Sequence, residues 1–161
     1  MKTSGVCFLG SLLLVFSGFH PDDRKDKKLE KEKEMSQLIE SGHFRFVARS
    51  AESSLGNFDN LGNDYDLIID SLKIEAYLPY YGRAYSVLYG SEGGVKFDLT
   101  ADKIDKQWNK KKKIFTISAE VKDPQDSYTL YLTTSLSGYA NLSISFSNRQ
   151  LISYYGNIEK I

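Results

Sequence analysis

The chain has 161 residues, 41% of them apolar, with 21 acidic side chains balanced by 21 basic ones. That length suits one ordinary domain with a real core, and that apolar share argues against general disorder. A net charge of zero supplies no field to draw nucleic acid or an anionic membrane.

Residues 1–17 open with Lys2 and continue into Val6 to Phe16, a run without charge. The run has the length of a signal-peptide core and falls well short of the ~20 apolar residues a membrane span needs. Ser17 and Gly18 are small enough for signal peptidase, with Val15 three residues before the bond if the cut follows Ser17. An exported chain, periplasmic or secreted, with no stable membrane span after cleavage is therefore expected; an uncleaved anchor is the alternative. Cys7 lies inside the apolar run and not at the cut, so it does not make a lipoprotein signal. Once 1–17 is removed no cysteine remains, which leaves neither a disulfide nor a Cys-based metal or catalytic site.

Residues 18–43 form a charged N-terminal segment that reads as a helix over Pro21 to Ser41. Asp22 and Asp23 stand at the N-cap, and Gly42 stands where a C′ glycine ends a helix. Arg24 to Glu34 is almost wholly charged, and its interleaved acids argue against a basic membrane-binding helix. The apolar stripe is confined to Leu29, Met35, Leu38 and Ile39, so only the last two turns are expected to dock.

Residues 44–161 change to a period of two and read as a single β-rich domain. Phe44, Phe46 and Ala48 alternate with Arg45 and Arg49; Leu72, Ile74, Ala76 and Leu78 alternate with polar neighbours. The pattern returns at Val95 to Leu99, Phe115 to Val121, Tyr128 to Leu132, Ala140 to Phe146 and Leu151 to Ile158, with Leu67 to Ile69 as a further short run. Turn chemistry joins them at Asp70-Ser71, Asp123 to Asp126, Ser137-Gly138 and Asn148 to Gln150. A mainly β fold follows: an N-terminal helix, then a seven- to eight-stranded antiparallel meander closing as a barrel or sandwich. Phe46, Leu72, Ile74, Phe97, Ile117, Leu130, Leu142 and Ile144 are expected to point inward. Ser50 to Asn63 reads as a surface loop, and Lys110 to Lys113, beside Trp108, as a solvated hairpin tip rather than a nucleic-acid patch.

One stretch stands apart. Tyr77 to Gly94 gathers five of the eleven tyrosines, Pro79 and four glycines. A tyrosine joins a large apolar body to a hydroxyl that wants a partner, which suits a partly wet binding surface or a sheet edge covered by its own loop. Taken with Ser71-Leu72 before it, and with Asn148-Arg149-Gln150 and Ile152-Ser153-Tyr154-Tyr155-Gly156 near the C-terminus, this stretch resembles domain-of-unknown-function family 4251, over roughly 35–158. The resemblance implies a small secreted bacterial protein and brings no catalytic residues.

The remaining chemistry is sparse. The only histidines are His20 and His43, too few for zinc spacing, and His43 lies at an element boundary where a structural role is usual. Asp59 to Asp66 carries oxygen ligands without the spacing of a calcium loop and reads as a solvated turn. Gly90, Gly93 and Gly94 precede a strand rather than a helix, so they cradle no phosphate. Glu75 and Glu92 flank the tyrosine stretch and are the carboxylates a glycoside hydrolase would use, but nothing in the sequence fixes their separation.

No catalytic residue, metal or cofactor is therefore assigned, and nucleic acid is not expected as a partner. The candidate ligand-binding set is Tyr77, Tyr80, Tyr81, Arg83, Tyr85, Tyr89 and Glu92, in a non-catalytic module for a glycan, lipid or other envelope component. The alternative is a structural envelope protein with no small ligand, in which the same rings cover a sheet edge. A carboxylate-based hydrolase comes third. Solvent exposure discriminates the first two: a binder keeps several rings wet, and a structural lid buries them.

Overall fold

A computed structural model describes residues 22–54, 56–82, 94–124 and 126–161 of the chain. The expected signal segment 1–17 lies outside them.

Helix α1 runs Asp22–Ser41, ending where the sequence predicts; Pro21, at the predicted start, lies outside the described residues. Gly42 follows with a φ of 73°, the left-handed conformation in which a Cβ is strained. The last carbonyls of α1 are satisfied from across the fold: Lys106 Nζ donates to Ile39 O at 3.3 Å and Glu40 O at 3.1 Å. Ile39 is wholly buried, and Met35 and Leu38 pack against the core. Leu29 does not join them and is 62% exposed. Docking is thus confined to the last turns, because the charged first half has no apolar face to bury.

Among the described residues ten strands follow: β1 His43–Ser53, β2 Phe58–Asn60, β3 Asp66–Asp70, β4 Lys73–Leu78, β5 Val95–Thr100, β6 Ile104–Asn109, β7 Ile114–Lys122, β8 Ser127–Ser135, β9 Tyr139–Phe146 and β10 Ile152–Glu159. Nine of them make one antiparallel sheet in the order β5-β4-β3-β1-β10-β9-β8-β7-β6, and β2 pairs with β1 beyond the end of β3. The sheet curls into a half-barrel. Its curl follows from connectivity. Residues 101–103 alone join β5 to β6, the two outermost strands of the path. So short a link reaches about 10 Å fully extended, so the edges must approach one another. Phe97 on β5 accordingly meets Tyr128 on β8, ring centroids 4.6 Å apart.

The concave side holds the core, and Phe46, Ile74, Phe97, Ile117, Leu130, Leu142 and Ile144 all point into it. Leu72 does not. It occupies the second place of the β3–β4 turn, after Ser71 with its φ of 59°, and is 45% exposed. The buried alternation begins at Ile74, two residues later than the sequence suggests. A bulge between Ala48 and Ser50 shifts the register of β1 against β10, so the buried alternation passes from Phe44, Phe46 and Ala48 to Ala51 and Ser53. Two strands were not apparent in the sequence: β2 inside the expected Ser50–Asn63 loop, and β6, exposed at every position but Ile104. Lys110 to Lys113 forms the β6–β7 tip, where Asn109 Oδ1 accepts from the Lys111 and Lys112 amides at 3.1 Å each.

Candidate functional site

The tyrosine stretch divides as β4 ends. Along β4, Ile74, Ala76 and Leu78 face the core, which puts Tyr77 on the outer surface. Pro79 cannot extend the ladder, and its carbonyl accepts from the buried Tyr154 hydroxyl at 2.7 Å. Tyr80 then turns inward. Its hydroxyl donates to Gln150 O at 2.9 Å, and its ring meets Phe146 edge-on at 5.4 Å. Tyr81 turns outward.

On the outer side, Tyr77 is 49% and Tyr81 41% exposed. Tyr77 stacks on Tyr65, centroids 5.7 Å apart and planes 20° from parallel, with Lys96 Nζ 5.6 Å from the Tyr77 ring centre. Partial burial raises the Tyr81 hydroxyl's pKa, and Asp59 and Tyr65 nearby raise it further. Tyr65 and Tyr77, stacked, make an aromatic shelf with Lys96 over Tyr77, and the exposed Tyr81 has its hydroxyl within electrostatic reach of Tyr65 and Asp59.

On the inner side, Arg149 ties Gly94 to Tyr80 and Phe146. Its Nη1 donates to Gly94 O at 2.8 Å, and its guanidinium lies 5.6 Å from the Tyr80 ring centre and 5.5 Å from that of Phe146. Its Nε stands 3.6 Å from Asp126 Oδ2, in a carboxylate whose side chain is only 2% exposed. Asp126 Oδ1 accepts from the amides of Ser127 and Ser147 at 2.9 and 3.2 Å and from Ser147 Oγ at 2.6 Å. Asp123 joins the cluster, accepting from Tyr128 OH at 3.1 Å.

Of the seven residues proposed from sequence, Tyr77 is part of the shelf, Tyr81 is exposed within electrostatic reach of it, and Tyr80 is neither, because its hydroxyl is committed to the Gln150 carbonyl. Arg83, Tyr85, Tyr89 and Glu92 lie outside the described residues. Glu75 is held in a charge ladder, 2.5 Å from Lys73 Nζ, which also lies 3.1 Å from Asp98. Sequence reasoning missed Tyr65, Lys96 and Arg149. Tyr65 sat in a segment read as a turn, and Arg149 in a turn triplet; its place beside the C-terminal tyrosine motif was the available signal. Among the described residues, no three His, Cys, Asp or Glu side chains gather as a metal site, and no helix is long and apolar enough to cross a membrane.

These features define a small antiparallel half-barrel with a helix against its core and an aromatic shelf beside the end of β4. The chain belongs to the DUF4251 family, a domain of unknown function whose family model matches residues 26–158. The match takes in most of α1 as well as the sheet. The crystal structure of a DUF4251 family protein from Bacteroides eggerthii DSM 20697 shares the fold, with a TM-score of 0.63 at 15% identity, covering 81% of this chain and 88% of that one. No curated protein matches the chain.

Proposed function

We propose that this is an exported, non-catalytic binding module that takes an envelope glycan on the Tyr65–Tyr77 shelf and the exposed Tyr81. The observation that carries the reading is the exposure of Tyr81 and of Tyr77, the latter in its stack on Tyr65. Flat apolar faces, with Lys96 over Tyr77 and Asp59 within electrostatic reach of Tyr81, suit a sugar, whose C–H faces stack on rings and whose hydroxyls accept and donate. Export rests on the uncharged run Val6 to Phe16 and the small residues after it.

One observation favours the structural reading for part of the motif: Tyr80 and Tyr154 spend their hydroxyls on the carbonyls of Gln150 and Pro79. Those bonds tie the segment after β4 to the C-terminal part of the sheet rather than offer a surface. Cosedimentation with insoluble envelope glycan, peptidoglycan included, tests the proposal. The parent should pellet, and Tyr77→Ala and Tyr81→Ala should each weaken binding by about tenfold or more, because a few aromatic anchors carry most of an affinity. Unchanged pelleting by both variants would remove the shelf from the binding account.

A further inference from the structure

Helix α1 changes character along one face. Met35 and Leu38 are half-buried against the core, and Arg24, Lys27, Lys28 and Lys31 continue the same stripe at helical spacing toward the N-terminus. Across from the stripe stand Leu136 and Ser137 of the β8–β9 turn and Lys160 beyond β10, and a groove of about 960 Å³ lies between. That volume is at the upper end for a single small-molecule site. Met35, Leu38 and Leu136 give it an apolar floor, and the lysine stems add apolar wall. Five cations line it against two carboxylates, Glu32 and Glu34. Glu32 is in turn faced by Lys28 at 3.9 Å and by Lys113, from outside the groove, at 3.7 Å. A chain with no net charge thus concentrates positive charge beside an apolar trough.

We infer that this groove binds a single-chain anionic amphiphile of the fatty-acid class. Its tail lies along Met35, Leu38 and Leu136, and its head group sits among Lys27, Lys28 and Lys31. From Arg24 to Leu38 the helix axis advances about 21 Å at 1.5 Å per residue, room for one extended acyl chain. A small anion gains nothing from the floor, and an uncharged or cationic amphiphile gains nothing from the rim. The site is separate from the tyrosine shelf, and neither depends on the other.

Calorimetric titration of the purified chain with laurate tests this. Dodecyl maltoside and dodecyltrimethylammonium serve as neutral and cationic counterparts, acetate as the head group alone, and phosphatidylglycerol vesicles as the membrane surface. Laurate should bind in preference to all four, more weakly as salt rises, and at least about tenfold more weakly in Lys27→Glu/Lys31→Glu and in Leu136→Glu. The lysine pair lies on an exposed helix face, so that variant keeps the test valid even if Leu136→Glu fails to fold. Equal affinity for dodecyl maltoside, indifference to the lysine changes, or binding to vesicles without binding to free laurate would each overturn the inference.

Discussion

Arg149 and Asp126 show most plainly how single side chains organise one end of the sheet. A carboxylate as buried as that of Asp126 is tolerated because Oδ1 receives three donors and the Arg149 guanidinium stands beside Oδ2. Removing the cation strands that charge. Arg149→Met should therefore cost about 3–5 kcal/mol in urea unfolding, and adding Asp126→Asn should restore a large part of it. Additive losses in the double variant would show that the two groups act independently. Tyr128, in the same cluster, links stability to pH. Burial first, and then the negative charge of Asp123, push its hydroxyl up to about 12. The unfolded chain releases that proton near 10, so between about pH 10 and 12 the folded state holds more protons and stability falls as pH rises. Below that window the contribution is fully present. The fall in unfolding free energy across it should be shallower in Tyr128→Phe than in the parent; identical slopes would mean that Tyr128 ionises freely in the fold.

The elements themselves were legible wherever one face is buried. Eight strands announce themselves by alternation, and α1 by its caps, because burial imposes a period on the sequence. β6 escaped notice because, as an edge strand exposed at nearly every position, it buries no alternate row, and β2 because three exposed residues make no pattern. Leu72 was misplaced for a related reason: an apolar residue in a tight turn imitates the strand it precedes. Gly156 shows what periodicity cannot reveal. It lies opposite Ala48 beside the β1 bulge, and a Cβ there would run into the Val47 carbonyl and come 3.0 Å from the Phe46 ring. Gly156→Ala should accordingly cost about 1–3 kcal/mol or more by overpacking. Ser143→Ala, which loses only the 3.0 Å contact with Ser153 on the outer face of the β9–β10 pair, should lie nearer the parent in thermal unfolding. A neutral Gly156→Ala would mean that β10 can move away from β1.

At the scale of the molecule, the short β5–β6 link draws the sheet edges together, and that curl brings Tyr80, Tyr128, Phe146 and Arg149 to one end from strands and turns distant in sequence. The sequence located the tyrosine stretch but not its division. Whether a ring faces in or out after Pro79 depends on which carbonyl its hydroxyl finds, and Gln150 and Pro79 acquire their neighbours only through the fold. Tyr65 and Lys96 join Tyr77 by cross-strand packing that the sequence does not encode locally. The central claim is that Tyr81 belongs to an open surface while Tyr80 is part of the frame. Thermal unfolding of Tyr81→Ala beside Tyr80→Ala tests it most directly. Tyr81→Ala should stay within about 1 kcal/mol of the parent, as a surface change does, and Tyr80→Ala should lose about 2 kcal/mol or more with its ring contacts and its bond to Gln150. An equally large loss in Tyr81→Ala would make the stretch a structural lid and contradict the account.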